Sequence, residues 1–122
     1  EFGAGDPWGY PILTLAANEI PPDDMDGLAC VLEVREGEGE LRVQFVEEDG
    51  ACHITDIPVN AALRTPRPAV CLFSRAVWGP WSKPDADGRL QPSLIRKVMV
   101  GINSKPNSRV KFVVRDLAWV RF

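Results

Sequence analysis

The chain has 122 residues, 45% of them hydrophobic and 25% charged, with a formal net charge of -3, a size that supports one packed core and argues against two independent domains. Interspersed charges with no basic stripe disfavour a nucleic-acid partner, and no apolar run approaches the roughly 20 residues of a spanning helix, so no membrane partner is expected either. A single soluble domain over 1–122 is predicted, with Glu1-Phe2-Gly3-Ala4-Gly5 reading as a linker or cloning remnant.

The 11 prolines and 10 glycines fall between apolar runs, the punctuation of short strands joined by turns. A weak strand is predicted at Ile12 to Ala16. From Gly27 to Glu36, Leu28, Cys30, Leu32 and Val34 alternate with Glu33 and Arg35, the pattern of a half-buried strand. Leu41, Val43 and Phe45 then alternate with Arg42, Gln44 and Val46, and Glu48-Asp49-Gly50 supplies a hairpin turn. In the next strand Cys52, Ile54 and Asp56 alternate with His53, Thr55 and Ile57, which suits either face of a sheet, before Pro58 removes a backbone donor.

Arg67 to Ser74 reads as a short strand, and 75–93 as a long loop with a turn at Asp85-Ala86-Asp87-Gly88 and a helical turn near Gln91 to Ile95. Val98, Val100 and Ile102 alternate with Lys97, Met99, Gly101 and Asn103; Ser104 to Asn107 turns the chain, and Arg109 to Phe122 closes it with Val110, Phe112 and Val114 inward. About seven strands with no helical segment between them predict an antiparallel β-sandwich rather than a βαβ fold.

Cys30, Cys52 and Cys71 each sit in an apolar segment and read as small buried residues, with a disulfide between two of them left open. The absence of a C-x-x-C pair and the single histidine argue against a zinc-thiolate centre. Catalysis is not expected. Asp23, Asp24 and Asp26 stand in a proline-rich turn and Glu47, Glu48 and Asp49 precede a hairpin glycine, while Gly-x-Ser-x-Gly and phosphate-cradling loops are absent from the sequence.

The succession Asp26-Gly27-Leu28, Leu41-Arg42-Val43-Gln44-Phe45-Val46 with Glu48-Asp49-Gly50, Ile54-Thr55-Asp56-Ile57-Pro58-Val59, Leu94 to Asn103, and Val113-Val114-Arg115-Asp116-Leu117 resembles the galactose-binding-like jelly-roll carbohydrate-binding modules of glycoside hydrolases. The likeness spans about residues 26–122, and the N-terminal part departs from it. The resemblance implies a jelly roll, a secreted non-catalytic module linked to a polysaccharide-degrading enzyme, and a structural calcium with Asp116 as one ligand. It also leaves room for a protein-protein interaction domain on the same fold.

Sugar rings pair an apolar face with a rim of hydroxyls, so their sites combine an aromatic platform with hydrogen-bonding side chains. Trp78-Gly79-Pro80-Trp81 places two indoles among turn residues, and Trp8 and Tyr10 stand between Pro and Gly near the N-terminus. Arg42, Gln44, His53, Thr55, Met99 and Asn103 are expected to line one concave sheet face. The predicted ligand-binding set is therefore Trp78, Trp81, Arg42, Gln44, His53, Asn103 and Tyr10, facing a polysaccharide or oligosaccharide, with Trp119 in the core.

Overall fold

A computed structural model describes residues 8–9, 12–37, 39–59, 64–85, 88–103 and 111–122. Among the described residues nine strands run in chain order: β1 Trp8–Gly9, β2 Ile12–Thr14, β3 Gly27–Glu36, β4 Gly39–Glu47, β5 Cys52–Val59, β6 Arg67–Leu72, β7 Val77–Trp78, β8 Ile95–Asn103 and β9 Lys111–Val120. Short 3-10 turns occupy Ala17–Glu19, Phe73–Arg75 and Pro92–Leu94, and no α-helix is present among the described residues.

The strands form two antiparallel sheets. The larger has the order β1-β8-β4-β5-β7, with β2 also paired to β8, and the smaller has the order β6-β3-β9. Alternation decides what each strand buries, because successive side chains point to opposite faces. Leu28, Cys30, Leu32 and Val34 of β3 face inward from the smaller sheet; Leu41, Val43 and Phe45 of β4 and Val98 of β8 face inward from the larger. Leu32 and Val34 meet Leu41 in one cluster, while Leu28 meets Phe45, Phe73 and Ile95 in the other, so the core lies between the sheets. Each such fully buried side chain contributes about 1.5–3 kcal/mol by leaving water. Trp119 packs on Phe73 with centroids 6.0 Å apart, as its periodicity predicts, and donates its indole N–H to the Glu19 carbonyl at 2.7 Å.

The β4–β5 hairpin closes at Glu48-Asp49-Gly50, where Gly50 takes φ +93° and Asp49 accepts from the Ala51 N–H at 2.9 Å. Its register pairs Leu41 with Ile57, Val43 with Thr55 and Phe45 with His53. That register resolves the ambiguous face of β5: His53, Thr55 and Ile57 point into the sandwich, and Cys52, Ile54 and Asp56 point out. Inside the expected long loop, Val77 and Trp78 pair with Ile54 and His53 and extend the larger sheet by a two-residue strand. Two residues are too few to show a period, which is why β7 was not legible beforehand.

The cysteines are free, and all three are buried. The predicted turn at Ser104 to Asn107 and the inward position of Val110 lie outside the described residues.

Candidate functional site

The outer face of the larger sheet is built by register. One row runs Val77, Ile54, Gln44 and Met99 across β7, β5, β4 and β8; the next runs Asp56, Arg42 and Gly101. Arg42 donates from Nε to Asp56 Oδ1 at 2.9 Å and from Nη2 to Asp56 Oδ2 at 3.2 Å, a two-point contact that fixes the guanidinium plane. The Trp81 ring lies over that plane, its centroid 5.8 Å from Arg42 Cζ, and remains 60% exposed.

The segment after β7 places this indole. The Gly79 N–H donates to the Cys52 carbonyl at 2.8 Å, the Ser82 N–H to the Gly79 carbonyl at 2.9 Å, and the Cys52 N–H to Ser82 Oγ at 3.0 Å. These bonds fasten a tight turn to the start of β5, and Trp81 folds back across it. A Cβ on Gly79 would stand 2.8 Å from Trp81 Cζ2, so only glycine admits the ring this close.

The predicted ligand-binding residues therefore divide. Trp81 and Arg42 come together on the outer face. Gln44 shares that face but is 8% exposed, and its Oε1 accepts from the Cys52 thiol at 3.2 Å, so it braces the sheet. Asn103 holds the register position opposite Glu40 and Trp8 at the far end of β8. Trp78 pairs with His53 and donates its indole N–H to the Lys83 carbonyl at 3.0 Å, so this exposed indole also anchors the loop. His53 is a correction: its register with Phe45 leaves it 1% exposed inside the sandwich, out of reach of any ligand on the outer face. Tyr10 lies outside the described residues. Asp56 was missed because its value depends on facing Arg42 across two strands, which a period-two reading of one strand does not reveal.

Asp116 sits in a bulge of β9, between the register pairs Ala29–Ala118 and Val31–Arg115, with φ 56°. Its exposed carboxylate faces the Arg115 guanidinium at 3.7 Å. Calcium takes 6–8 oxygen ligands. Among the described residues no cluster of three or more acidic, histidine or cysteine ligands includes Asp116.

A second cluster went unread in the sequence. Glu47, inward like Phe45, and His53 meet Asp85 of the loop: His53 Nε2 lies 2.8 Å from Asp85 Oδ2 and 3.2 Å from Glu47 Oε1. The side chains of Glu47 and His53 are each 1% exposed and that of Asp85 is 9%. Burial, and then the neighbouring Asp85 carboxylate, push the Glu47 carboxyl up to about 8. The hairpin register carries a signal for the Glu47–His53 pair, but Asp85 arrives from 32 residues beyond His53.

Two cavities open elsewhere. One of about 780 Å³ lies among Asp26, Phe73, Ser74, Arg89, Leu90 and Phe122 at the sandwich edge, and one of about 140 Å³ lies beside Leu15, Leu28 and Trp119. Neither is lined by Glu47, His53 or Asp85.

No protein-family model matches the chain, and no curated protein does. Among solved structures, a family 11 carbohydrate-binding module from Clostridium thermocellum, in complex with a β-1,3-1,4-mixed-linked tetrasaccharide, is similar at a TM-score of 0.67 and 15% identity, covering 90% of this chain and 66% of its own. A family 11 module of a cellulosomal cellulase from the same organism is similar at a TM-score of 0.65 and 14% identity, covering 91% of this chain. This chain spans 65% of the second module's length. The likeness assigns the fold: an antiparallel jelly-roll sandwich, as the order of strands predicts.

Proposed function

We propose that the chain is a non-catalytic carbohydrate-binding module whose ligand is a polysaccharide segment laid on the outer face of the larger sheet. The observation that carries this reading is the exposed Trp81 indole, fixed over the Arg42–Asp56 pair in the open. An immobilised aromatic face stacks on the apolar face of a pyranose, and a partly exposed carboxylate beside it accepts hydroxyl hydrogens. The solved module of the same fold that holds a mixed-linked glucan tetrasaccharide supports the ligand class.

A non-enzyme reading is favoured by the place of the one buried acid-base cluster found among the described residues: the side chains of Glu47, His53 and Asp85 are almost wholly withdrawn from the surface. In the full-length protein we expect the module to tether a linked polysaccharide-degrading enzyme to its glycan outside the cell. Affinity electrophoresis against soluble β-glucans, xylans, mannans and galactans tests the reading. Retardation by one polymer, lost in Trp81→Ala, supports it. No retardation by any polymer overturns it in favour of a protein-interaction domain, and retardation that Trp81→Ala leaves intact moves the site to the cleft beneath Phe122.

A further inference from the structure

We propose that Glu47, His53 and Asp85 form a buried site for a zinc-class divalent ion that ties the 79–91 loop to the β4–β5 hairpin. The ligand atoms converge. Nε2 of His53 and one oxygen of each carboxylate lie within 4.8 Å of one another. The two N···O separations, 2.8 and 3.2 Å, fall just short of the about 3.3 Å between ligands bound at about 2.0–2.1 Å in a tetrahedron, so a small parting of the side chains seats an ion.

The second observation is an orphaned atom. Glu47 Oε1 has no hydrogen-bond partner although the side chain is 1% exposed, and it is aimed at the cluster. The imidazole does not supply what it lacks, because Nε2 carries at most one proton and Asp85 Oδ2 is the nearer acceptor at 2.8 Å. Ionising two carboxylates buried beside one imidazole is costly unless a positive charge compensates them. A divalent cation neutralises both carboxylates, takes the lone pair of Nε2 and occupies the direction of the orphaned oxygen.

The donor set selects the ion. One imidazole nitrogen with two carboxylates suits zinc, cobalt or nickel, whereas calcium asks for six or more oxygens. The three cysteines take no part, in keeping with the absence of a thiolate motif. Asp85 stands four residues after Trp81, so an ion held here also steadies the segment that carries the aromatic platform.

The test uses the untagged chain, stripped with chelator and desalted. Equilibrium dialysis against zinc, read by elemental analysis, is expected to give one ion per chain, and cobalt loading is expected to add visible d–d absorption. Zinc at about a hundredfold over its Kd is expected to raise the melting temperature by roughly 10 °C. Because His53 is the only histidine, its imidazole proton resonances report ligation without ambiguity. Glu47→Gln and Asp85→Asn are expected to fold in the presence of chelator and to lose stoichiometric zinc. The proposal is overturned if the wild-type chain retains no zinc, cobalt, nickel or manganese, or if both variants retain zinc as the wild type does. None of these readouts depends on glycan binding, so the two readings fail separately.

Discussion

Trp81 lies with its ring centroid 5.8 Å from the guanidinium carbon of Arg42, thirty-nine positions earlier in the chain, and this contact converts an exposed loop indole into a fixed platform. Ordering an aromatic before the ligand arrives lowers the entropy lost on binding. Trp81→Ala is therefore expected to weaken glycan binding by several-fold to tenfold, in line with about 0.5–1.5 kcal/mol for an aromatic stacking contact. Its effect on stability is expected to stay within about 0.5 kcal/mol, as for other exposed positions. Titration calorimetry and thermal melts separate the two effects. Trp78→Ala is expected to behave in the opposite sense, with a lower melting temperature, because it removes the anchor to the Lys83 carbonyl.

Gly79→Ala tests how the platform is seated. The new methyl would meet Trp81 Cζ2 at 2.8 Å, and the ring must lift away from Arg42. Several-fold weaker glycan binding with a nearly unchanged melting temperature is expected; unaltered affinity would show that the ring's seat over Arg42 is immaterial.

Asp56→Asn removes the charge that orients Arg42 while keeping its shape. The loss of a charge-assisted contact at a half-exposed pair costs stability little, about 0–1 kcal/mol. Glycan affinity is expected to fall more than stability, as measured by comparing calorimetric Kd values with urea midpoints.

The buried thiols make a prediction about reactivity and pH. Burial pushes Cys71 up to about 12 and Cys52 up to about 11, and it raises Cys30 too. Native protein at pH 8 is expected to resist Ellman's reagent, and all three thiols should react once it is denatured. The unfolded chain releases the Cys71 proton near the usual 9.0, whereas the folded chain keeps it until about 12. Stability from this group is thus fully present below pH 9 and declines as pH rises through that window. Denaturation midpoints for Cys71→Ala across the same range should show a shallower decline than the wild type.

Phe45→Ala is expected to destabilise by about 3–5 kcal/mol. The ring is fully buried and meets Phe73 edge to face with centroids 5.1 Å apart, so its loss opens a cavity between the sheets. Chemical denaturation with an unchanged m-value would confirm that only stability moved.

The sequence by itself determined the strand periods, and with them the class of fold. Leu28 to Val34, Leu41 to Phe45 and Val98 to Val100 each carry their inward face in a two-residue alternation, which is local and survives without knowledge of partners. The Asp49-Gly50 turn was legible for the same reason: a left-handed backbone position selects glycine wherever it occurs. What only the tertiary structure decided was which strands stand side by side and in what register. The β4–β5 register sent His53 inward to Glu47 and Asp85 and Asp56 outward to Arg42, and a two-residue strand at Val77–Trp78 delivered Trp81 onto the outer face. A one-residue shift in pairing would exchange those faces, because side chains alternate sides at every step. Composition names the side chains available for a site, and the sheet's hydrogen-bond ladder determines which of them meet.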